Sequence, residues 1–335
     1  MVVSVRDVAA AASVSVGTVS NVLNRPEKVA AATVARVTQA IEELGFVRND
    51  AARQLRAGRS RSIALIVLDA GNPFFAEVAR GAEDRAAESG MSVLLGSSDQ
   101  RSDREDAYLE LFREQRVNGV LVTPVDRDLD RLARLHAAGV PVVLVDHEDA
   151  ERSLGSVSVD DVEGGYLAVS HLLSTGRRRI AFIGGPHTIR QVAERLEGAR
   201  RAVAAVDGAT LEVVEMSALS VLQGRAAGEL LRERAAAERP DGVFAANDLL
   251  AVGALQAFTL MADLQVPRDI ALIGYDDIDF ASATVVPLSS IRQPAHLIGY
   301  TAVDLLLKDL EEPEGDHERT VRFHPELVVR ESTGG

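Results

Sequence analysis

The chain has 335 residues, of which 47% are hydrophobic, and a formal net charge of -14. A chain of this length is expected to fold as several domains, each with a core of its own. It contains no cysteine, which excludes disulfides, thiolate nucleophiles and cysteine-bound zinc. No apolar run approaches the length of a membrane span, and the N-terminus has neither a basic leader nor a long apolar segment. We therefore expect a soluble, cytoplasmic protein with no membrane partner.

The charge is unevenly distributed along the chain. The segment from Met1 to Arg61 contains nine Arg and Lys residues against five acidic residues, a net charge of +4, so the remaining residues carry -18. This asymmetry is typical of a DNA-contacting head joined to an acidic sensing body. Chance clustering of charges is the alternative interpretation.

Three helices are predicted in the head. Ser4, followed three residues later by Asp7, forms a capping box that predicts a short first helix. Ser15 is the predicted N-cap of a second helix, whose apolar residues recur at helical spacing. A third helix is predicted from Ala31 to Leu44, where Gly45 ends it. Two short helices separated by three residues are typical of a helix-turn-helix unit.

The second helix of such a unit enters the major groove, where the residues at its N-terminal end reach the base edges. Its outward positions here are Val16, Gly17, Thr18, Ser20 and Asn21. Asn pairs with adenine, Thr contacts a base edge or a thymine methyl, and Val makes apolar contacts only, whereas glycine reads nothing. Solvated helix surface is the alternative interpretation of these positions.

Four consecutive blocks of the sequence resemble the head and hinge of the LacI/GalR family of bacterial repressors. The blocks are Val5–Ala10, Val14–Asn24, Ile41–Phe46 and Asn49–Arg56. The resemblance implies that the positions of Val16, Gly17 and Asn21 make the main base contacts and that Thr18 and Ser20 support phosphate binding. Many family members place a polar residue where this chain has Gly17, so we expect weaker base readout there. The DNA-contacting residues predicted in the head are Ser4, Arg6, Ser15, Val16, Gly17, Thr18, Ser20, Asn21 and Asn24.

The block Asn49–Arg56 has two interpretations. Its composition, and the Gly- and Ser-containing stretch that follows, indicate a linker. The resemblance implies a hinge helix that folds on operator DNA and wedges Leu55 into a base step of the minor groove, with Ala52 and Arg56 also at the DNA. A helix this short is marginal on its own, which suits a switch. The predicted domains are a head over residues 1–47, a hinge over 48–61 and a body over 62–335.

The body is predicted to be an α/β fold. Apolar runs of five to seven residues alternate with amphipathic stretches of twelve or more, which is typical of parallel sheets covered by helices on both faces. The candidate strands are Ile63–Asp69, Ser92–Gly96, Gly119–Thr123, Val140–Asp146, Arg179–Gly184, Leu211–Glu215, Gly242–Ala246 and Ile270–Tyr275. The tail Arg319–Gly335 has strand character but no leucine heptads, so nothing predicts a tetramerising coiled coil.

The family resemblance implies that this body has the two-lobed fold of periplasmic sugar-binding proteins, in which the chain crosses three times between the lobes. We place the crossings near Asp160, near Ser289–Gln293 and near Phe323. The first lobe then comprises about residues 62–160 and 293–323, and the second about residues 161–290 and 324–335.

Polar residues at the ends of the candidate strands predict an effector pocket between the lobes. Ligands of open parallel sheets bind at the carboxyl ends of the strands, and clefts between domains are favoured sites. Carboxylates, amides and an Arg can bind the hydroxyls of a sugar, with an aromatic ring on its apolar face. Asp146 is assigned to this pocket from its place after a strand. The resemblance assigns Asp69, Asn72, Phe75, Asp160, Arg195, Asn247 and Asp276 to the same pocket. A helix N-cap or turn acid is the alternative interpretation of each, and it is favoured for Asp248 and Asp277.

The sequence offers no pattern that favours an enzyme. The seven histidines lack metal-ligand spacing, the two lysines lie in no phosphate-binding loop, and the Gly-x-Ser-x-Gly motif is absent. We therefore predict no catalysis, no metal and no cofactor. An exported solute-binding protein has the same body fold, but the basic head and the N-terminus oppose it. A purine- or nucleoside-sensing repressor is the alternative to a sugar-responsive one, because Phe75 can stack on a base.

The predicted assembly is a homodimer that binds a pseudo-palindromic, double-stranded operator with one head per half-site. A small, sugar-like effector in the cleft would alter the relation of the two lobes and hence the spacing of the hinge helices. This requires that the effector bind the two states with different affinities.

Overall fold

A computed structural model describes residues 3–46, 60–126, 128–149, 153–260, 264–312 and 318–334 of the chain. The chain divides into two compact units, Met1–Ser60, hereafter the head, and Arg61–Gly335, hereafter the body. The predicted hinge contacts Ala52, Leu55 and Arg56 lie outside the described residues.

The head is a three-helix unit whose helix boundaries follow from capping chemistry. Its elements are α1 (Val5–Ala11), α2 (Val16–Asn24), a 3-10 turn (Pro26–Lys28) and α3 (Ala31–Leu44). The Asp7 carboxylate accepts hydrogen bonds from the Ser4 amide at 2.8 Å and the Ser4 hydroxyl at 2.7 Å. Ser15 Oγ caps α2 by accepting from the Thr18 amide at 3.1 Å. Gly45 ends α3 in the left-handed conformation, with φ of 62°. The buried core residues are Val8, Ala9, Ala12, Val19, Val22, Val37 and Ala40.

The body contains two parallel sheets, as the alternation of apolar and amphipathic segments predicts. Its strands are β1 (Ser62–Val67), β2 (Ser92–Ser97), β3 (Val120–Val122), β4 (Val142–Val145), β5 (Gly155–Val159), β6 (Arg179–Gly184), β7 (Thr210–Glu215), β8 (Gly242–Ala245), β9 (Ala271–Ile273), β10 (Ser290–Arg292), β11 (Thr320–Phe323) and β12 (Glu326–Val328). One sheet has the order β11-β5-β4-β3-β1-β2 and the other β7-β6-β8-β9, whereas β10 and β12 form an antiparallel pair. All pairings within the two larger sheets are parallel.

Helices cover both sheets. They are α4 (Pro73–Glu88), α5 (Ser102–Glu114), α6 (Asp130–Ala137), α7 (Asp161–Ser174), α8 (Arg190–Ala204), α9 (Val221–Arg232), α10 (Asp248–Thr259), α11 (Asp279–Ser282), α12 (Ala295–Glu311) and a final 3-10 turn (Glu331–Thr333). We call the six-stranded sheet with α4, α5, α6 and α12 the first lobe, and the four-stranded sheet with α7 to α11 and the β10–β12 pair the second lobe. The chain passes between these lobes after β5, after β10 and after β11, so each lobe is built from separate stretches of sequence.

Three helix pairs cross at glycines. Gly165 of α7 meets Gly198 of α8, and a Cβ at either position would collide with backbone carbonyl oxygens of the facing helix. The same arrangement joins α9 to α10 at Gly224 and Gly253, and α4 to α12 at Gly81 and Gly299. Because no side chain separates the backbones, each pair packs at the closest approach that helices allow.

Candidate functional site

The candidate effector site is a cleft of about 440 Å³ between the two lobes of the body. This volume includes space that is open to solvent. The cleft lies where the carboxyl ends of strands from both sheets meet, which is the position expected for a ligand of parallel sheets. The lining residues are Leu68, Asp69, Asn72, Phe74, Phe75, Gln100, Asp146, Ile189, Gln191, Arg195, Leu219, Asn247 and Asp276.

The structure brings together seven of the eight predicted effector residues, and Asp160 is the exception. The seven that line the cleft are Asp69, Asn72, Phe75, Asp146, Arg195, Asn247 and Asp276. Asp160 is instead the N-cap of α7, where its carboxylate accepts from the Glu163 amide at 2.9 Å and pairs with Arg322 at 2.9 Å. Its neighbour Asp161, in the first turn of α7, is the carboxylate that faces Arg195. Helix capping and an ion pair thus engage the carboxylate of Asp160, and the structure does not place this residue in the cleft lining.

Arg195 is the buried cation of the site. Its side chain extends from α8, is only 5% exposed, and donates from Nε to Asp161 Oδ1 at 2.7 Å and from Nη1 to the Ala246 carbonyl at 2.7 Å. The guanidinium also stacks over the ring of Tyr275, 3.6 Å from its centroid. These contacts from three different elements fix the guanidinium in one orientation, which is what recognition of a ligand by paired N–H groups requires.

Asp276 bonds both to the first lobe and to one of the connections between the lobes. Its carboxylate accepts from Asn72 Nδ2 of the first lobe at 3.3 Å and from Gln293 Nε2, at the end of β10, at 2.8 Å. Arg195 Nη1 lies 3.7 Å from the same carboxylate. Burial raises the pKa of Asp276 to about 6 although Arg195 and the two amides oppose that shift. A ligand that contacts Asp276 would therefore act on a junction shared by both lobes.

Asp146 and Gln191 form the second polar contact across the cleft. Gln191 Nε2 donates to the Asp146 carbonyl at 2.8 Å and to its carboxylate oxygen Oδ2 at 2.9 Å. The other carboxylate oxygen, Oδ1, is buried without a hydrogen-bond partner among the described residues. Burial raises the pKa of Asp146 to about 8, and the nearby charge of Asp161 adds to the rise while Arg195 opposes it. This oxygen is the one best placed to bond to a ligand.

We expect the free energy of unfolding of the body to fall as the pH rises from about 4 to 8, because the folded chain keeps a proton on Asp146 that the unfolded chain loses. The pKa of Asp146 in the folded chain exceeds the ordinary value of 3.8, so the folded chain holds a proton that the unfolded chain releases. The stabilisation is complete below about pH 4 and is lost as the pH rises toward 8. Asn at this position keeps an acceptor for Gln191 and tolerates the left-handed φ of 54°. Urea unfolding of Asp146→Asn and the parent at pH 5 and pH 8 should show the parent losing more stability than the variant, by up to about 3–4 kcal/mol. Equal losses in the two proteins would contradict the assignment.

Two amide residues of the cleft also cap helices. Asn72 Oδ1 accepts from the Phe74 amide at 3.0 Å at the start of α4, and Asn247 Oδ1 accepts from the Leu250 amide at 2.9 Å at the start of α10. Each of these residues therefore fits both interpretations. Its amide oxygen caps a helix, and the residue also lines the cleft. As N-caps, the two amide side chains lie at the N-terminal ends of their helices.

Asp248 and Asp277 stay outside the cleft lining and have structural partners. Asp248 accepts from the Ser290 hydroxyl at 2.7 Å and from the Ile278 amide at 2.9 Å. Asp277 pairs with Arg330 at 2.6 Å and with Arg292 at 2.8 Å. Both carboxylates therefore have structural roles, but their partners come from other elements and not from a turn or a helix cap of their own.

Sequence reasoning missed several cleft residues. Gln191 lies one helical turn before Arg195 on α8, so helical spacing could have identified it. Gln100 follows the carboxyl end of β2, where the rule for parallel strands places ligand contacts. Phe74 packs edge-on against Phe75 with ring centroids 5.0 Å apart and completes an aromatic wall. The remaining unpredicted residues are apolar and carried no sequence signal: Leu68, Ile189 and Leu219.

The candidate DNA-binding surface is the outer face of α2. Val16 is 42% exposed, and Gly17 and Asn21 are also exposed, while Val19 and Val22 are buried on the opposite face. The other predicted positions have partners within the head: Ser15 Oγ lies 2.9 Å from Thr18 Oγ1, and Asn24 Nδ2 donates to the Ser20 carbonyl at 2.8 Å. Ser4 and Arg6 lie exposed at the start of α1.

The described part of the chain contains neither a metal-binding cluster nor a membrane-spanning helix. No group of three or more His, Asp or Glu side chains there is arranged to hold a metal ion. None of the described helices is both long and apolar enough to cross a membrane.

Comparison with known proteins gives matches along nearly the whole chain. Residues 4–49 match the family model "Bacterial regulatory proteins, lacI family" and residues 169–333 match "Periplasmic binding protein-like domain". The HTH-type transcriptional repressor PurR of Aliivibrio salmonicida is 32% identical over 333 residues, covering 98% of each chain. A transcriptional regulator CelR–cellobiose complex is 32% identical with a TM-score of 0.72, covering 98% and 99% of the two chains. A lac repressor dimer bound to operator and the anti-inducer ONPF is 28% identical with a TM-score of 0.84, covering 99% of each chain.

Proposed function

The chain belongs to the lacI family of bacterial regulatory proteins, and on that premise we propose which of its residues bind DNA and which bind the effector. It is a DNA-binding transcriptional regulator. The proposed activity is repression of transcription in the cytoplasm, with no catalytic step. Two copies of the chain bind one operator, because a two-fold protein matches a pseudo-palindromic site, and the related lac repressor is a dimer on its operator.

The proposed operator contacts centre on α2. Its exposed N-terminal half offers one amide, Asn21, to adenine and an apolar side chain, Val16, to a thymine methyl. Arg6 and the serines that cap α1 and α2 are the proposed phosphate contacts. The proposed hinge contacts Ala52, Leu55 and Arg56 complete the surface through the minor groove.

The proposed effector is a small polyhydroxylated compound bound in the cleft. The observation that carries this proposal is the convergence of Asp146, Arg195 and Asp276 with four amide side chains between the two lobes. Such a set satisfies the alternating donors and acceptors of sugar hydroxyls. The related CelR was solved in complex with cellobiose. A purine or nucleoside is the second candidate, because the edge-on pair Phe74 and Phe75 also suits a flat base.

The proposed switch acts through contacts that already join the lobes. Asn72 with Asp276, and Gln191 with Asp146, hold the cleft from its two sides. An effector that takes over these groups binds the two arrangements of the lobes with different affinities and so shifts the operator affinity. Whether it induces or co-represses is decided by which arrangement it favours.

Operator binding gives the test of this function. Duplexes enriched from a random pool should bind the chain with an affinity that falls linearly on a log-log plot as the salt concentration rises. Asn21→Ala should weaken that binding by tenfold to a hundredfold, about 1–3 kcal/mol, measured by fluorescence anisotropy. The matched control is Gln39→Ala on the exposed face of α3, where Gln39 donates to Glu43 of its own helix, and it should leave the affinity unchanged. Failure to enrich any duplex would refute the DNA-binding function.

A further inference from the structure

We propose that the cleft accepts its effector in the uncharged form and excludes the phosphorylated form of the same compound. This inference rests on the proposed effector site and specifies the chemical class that the site binds. It concerns the charge of the ligand and applies equally to a sugar and to a nucleoside.

Acidic side chains outnumber basic ones in the cleft lining, although Asp146, with its pKa raised to about 8, carries little charge at neutral pH. Asp69, Asp146 and Asp276 contribute three carboxyl groups, and Arg195 is the one cation among the described residues of the lining. A fourth carboxylate, Asp161, lies directly behind Arg195 at 2.7 Å. A phosphate group with nearly two negative charges would therefore enter a site that already has more acids than bases.

The single cation is already engaged. Arg195 donates to Asp161 and to the Ala246 carbonyl, and its face lies on the Tyr275 ring. The Asp161 and Ala246 contacts already use the Nε–H and one Nη1–H, so a bidentate phosphate would have to share the guanidinium with a buried carboxylate. The remaining guanidinium N–H groups can donate to a hydroxyl oxygen. A hydroxyl is uncharged, so its binding needs no neutralising cation.

Arginines near the cleft are also paired with carboxylates. Arg190, at the start of α8, bonds to Glu194 at 2.8 Å and lies 3.5 Å from Glu148 of the first lobe. Arg104, close to Gln100 in sequence, pairs with Asp99 at 2.8 Å. No described cation therefore stands ready to bind a phosphate at these positions.

The hydrogen-bonding pattern favours a hydroxyl group. Asp146 Oδ1 is buried, lines the cleft and has no partner among the described residues. A hydroxyl can bond to this carboxyl in either protonation state of Asp146, whereas a fully ionised phosphate can bond only to the protonated form. If the cleft selects the uncharged form, transfer of a phosphoryl group to a hydroxyl of the effector is the class of reaction that removes the signal.

The test is calorimetric titration of the full chain with matched pairs at constant ionic strength. The pairs are D-ribose with ribose 5-phosphate, D-glucose with glucose 6-phosphate, cellobiose with its 6-phosphate, and adenosine with adenosine monophosphate. We expect at least one uncharged member to bind and its phosphorylated partner to bind at least a hundredfold more weakly. A phosphorylated member that binds within tenfold of its partner, or more tightly, overturns the selectivity but leaves the effector function intact. Binding by no member of any pair counts against the effector function itself.

Removing carboxylates from the cleft tests whether the phosphorylated compound is excluded by charge repulsion or by lack of space. Measured above pH 8, where Asp146 is ionised, the preference for the uncharged member should shrink at least tenfold in the double variant Asp69→Asn with Asp146→Asn. The matched control is Glu197→Gln, an exposed residue of α8 that pairs with Arg201 outside the cleft, and it should leave the preference unchanged. An unchanged preference in the double variant would overturn the electrostatic explanation.

Discussion

Gly165→Ala is expected to lower the free energy of unfolding of the body by about 3 kcal/mol or more. The added methyl group would meet the backbone carbonyl of Arg195 on the facing helix, and a backbone atom cannot turn aside as a side chain can. Helices α7 and α8 must therefore separate, which also displaces Arg195 from Asp161. Urea unfolding followed by circular dichroism measures the loss.

Gly176→Ala is the matched control. Gly176 follows the same helix α7, and a Cβ there would meet nothing within 4 Å. Its φ of 92° is left-handed, so alanine should cost only about 1–2 kcal/mol of backbone strain. If Gly165→Ala proved no more destabilising than this control, the close approach of α7 and α8 would be contradicted.

Arg195→Met should abolish the response to the effector and lower the free energy of unfolding by roughly 3–5 kcal/mol. The substitution leaves Asp161 and Asp276 buried without their cation, and methionine fills similar space without charge. Arg201→Met, on the same helix, removes an exposed cation that pairs with Glu197, and it should change stability by no more than about 0.5 kcal/mol. Thermal unfolding with and without the bound effector gives both quantities.

The double variant Arg195→Met with Asp161→Asn separates stability from recognition. Removing the uncompensated carboxylate should recover most of the lost stability, while binding of the effector should remain absent. Recovery of binding together with stability would mean that Arg195 supports the fold and does not contact the ligand.

The head was predictable because its signals are local. Ser4, Ser15 and Gly45 act within one helical turn of their own positions, so the sequence pattern and the structure agree on where α1 and α2 begin and where α3 ends. Eight of the strands were likewise predicted from their apolar runs. Strand β5 was missed because its buried residues include Ser156 and Ser158, which interrupt the apolar run although the strand lies inside the first lobe.

The site was predictable by residue type and place but not by partner. Family resemblance and strand-end position identified Arg195 and Asp276, yet which of the adjacent carboxylates Asp160 and Asp161 meets Arg195 depends on how α7 lies against α8. That geometry is set by the contact of Gly165 with Gly198, and Gly198 lies on another helix, distant from the carboxylates in sequence. Gln293 was placed only at a crossing between the lobes, and its bond to Asp276 depends on tertiary structure.

The glycine crossings also determine where the body can bend. Helices in backbone contact have no intervening side chains whose rotamers could change, so α7 with α8, α9 with α10, and α4 with α12 are each expected to move as one stiff unit. Bending is then expected at the short connections after β5, β10 and β11, which include Asp160 and Gln293. A hinge confined to three connections turns a contact of a few atoms in the cleft into a rotation of whole lobes.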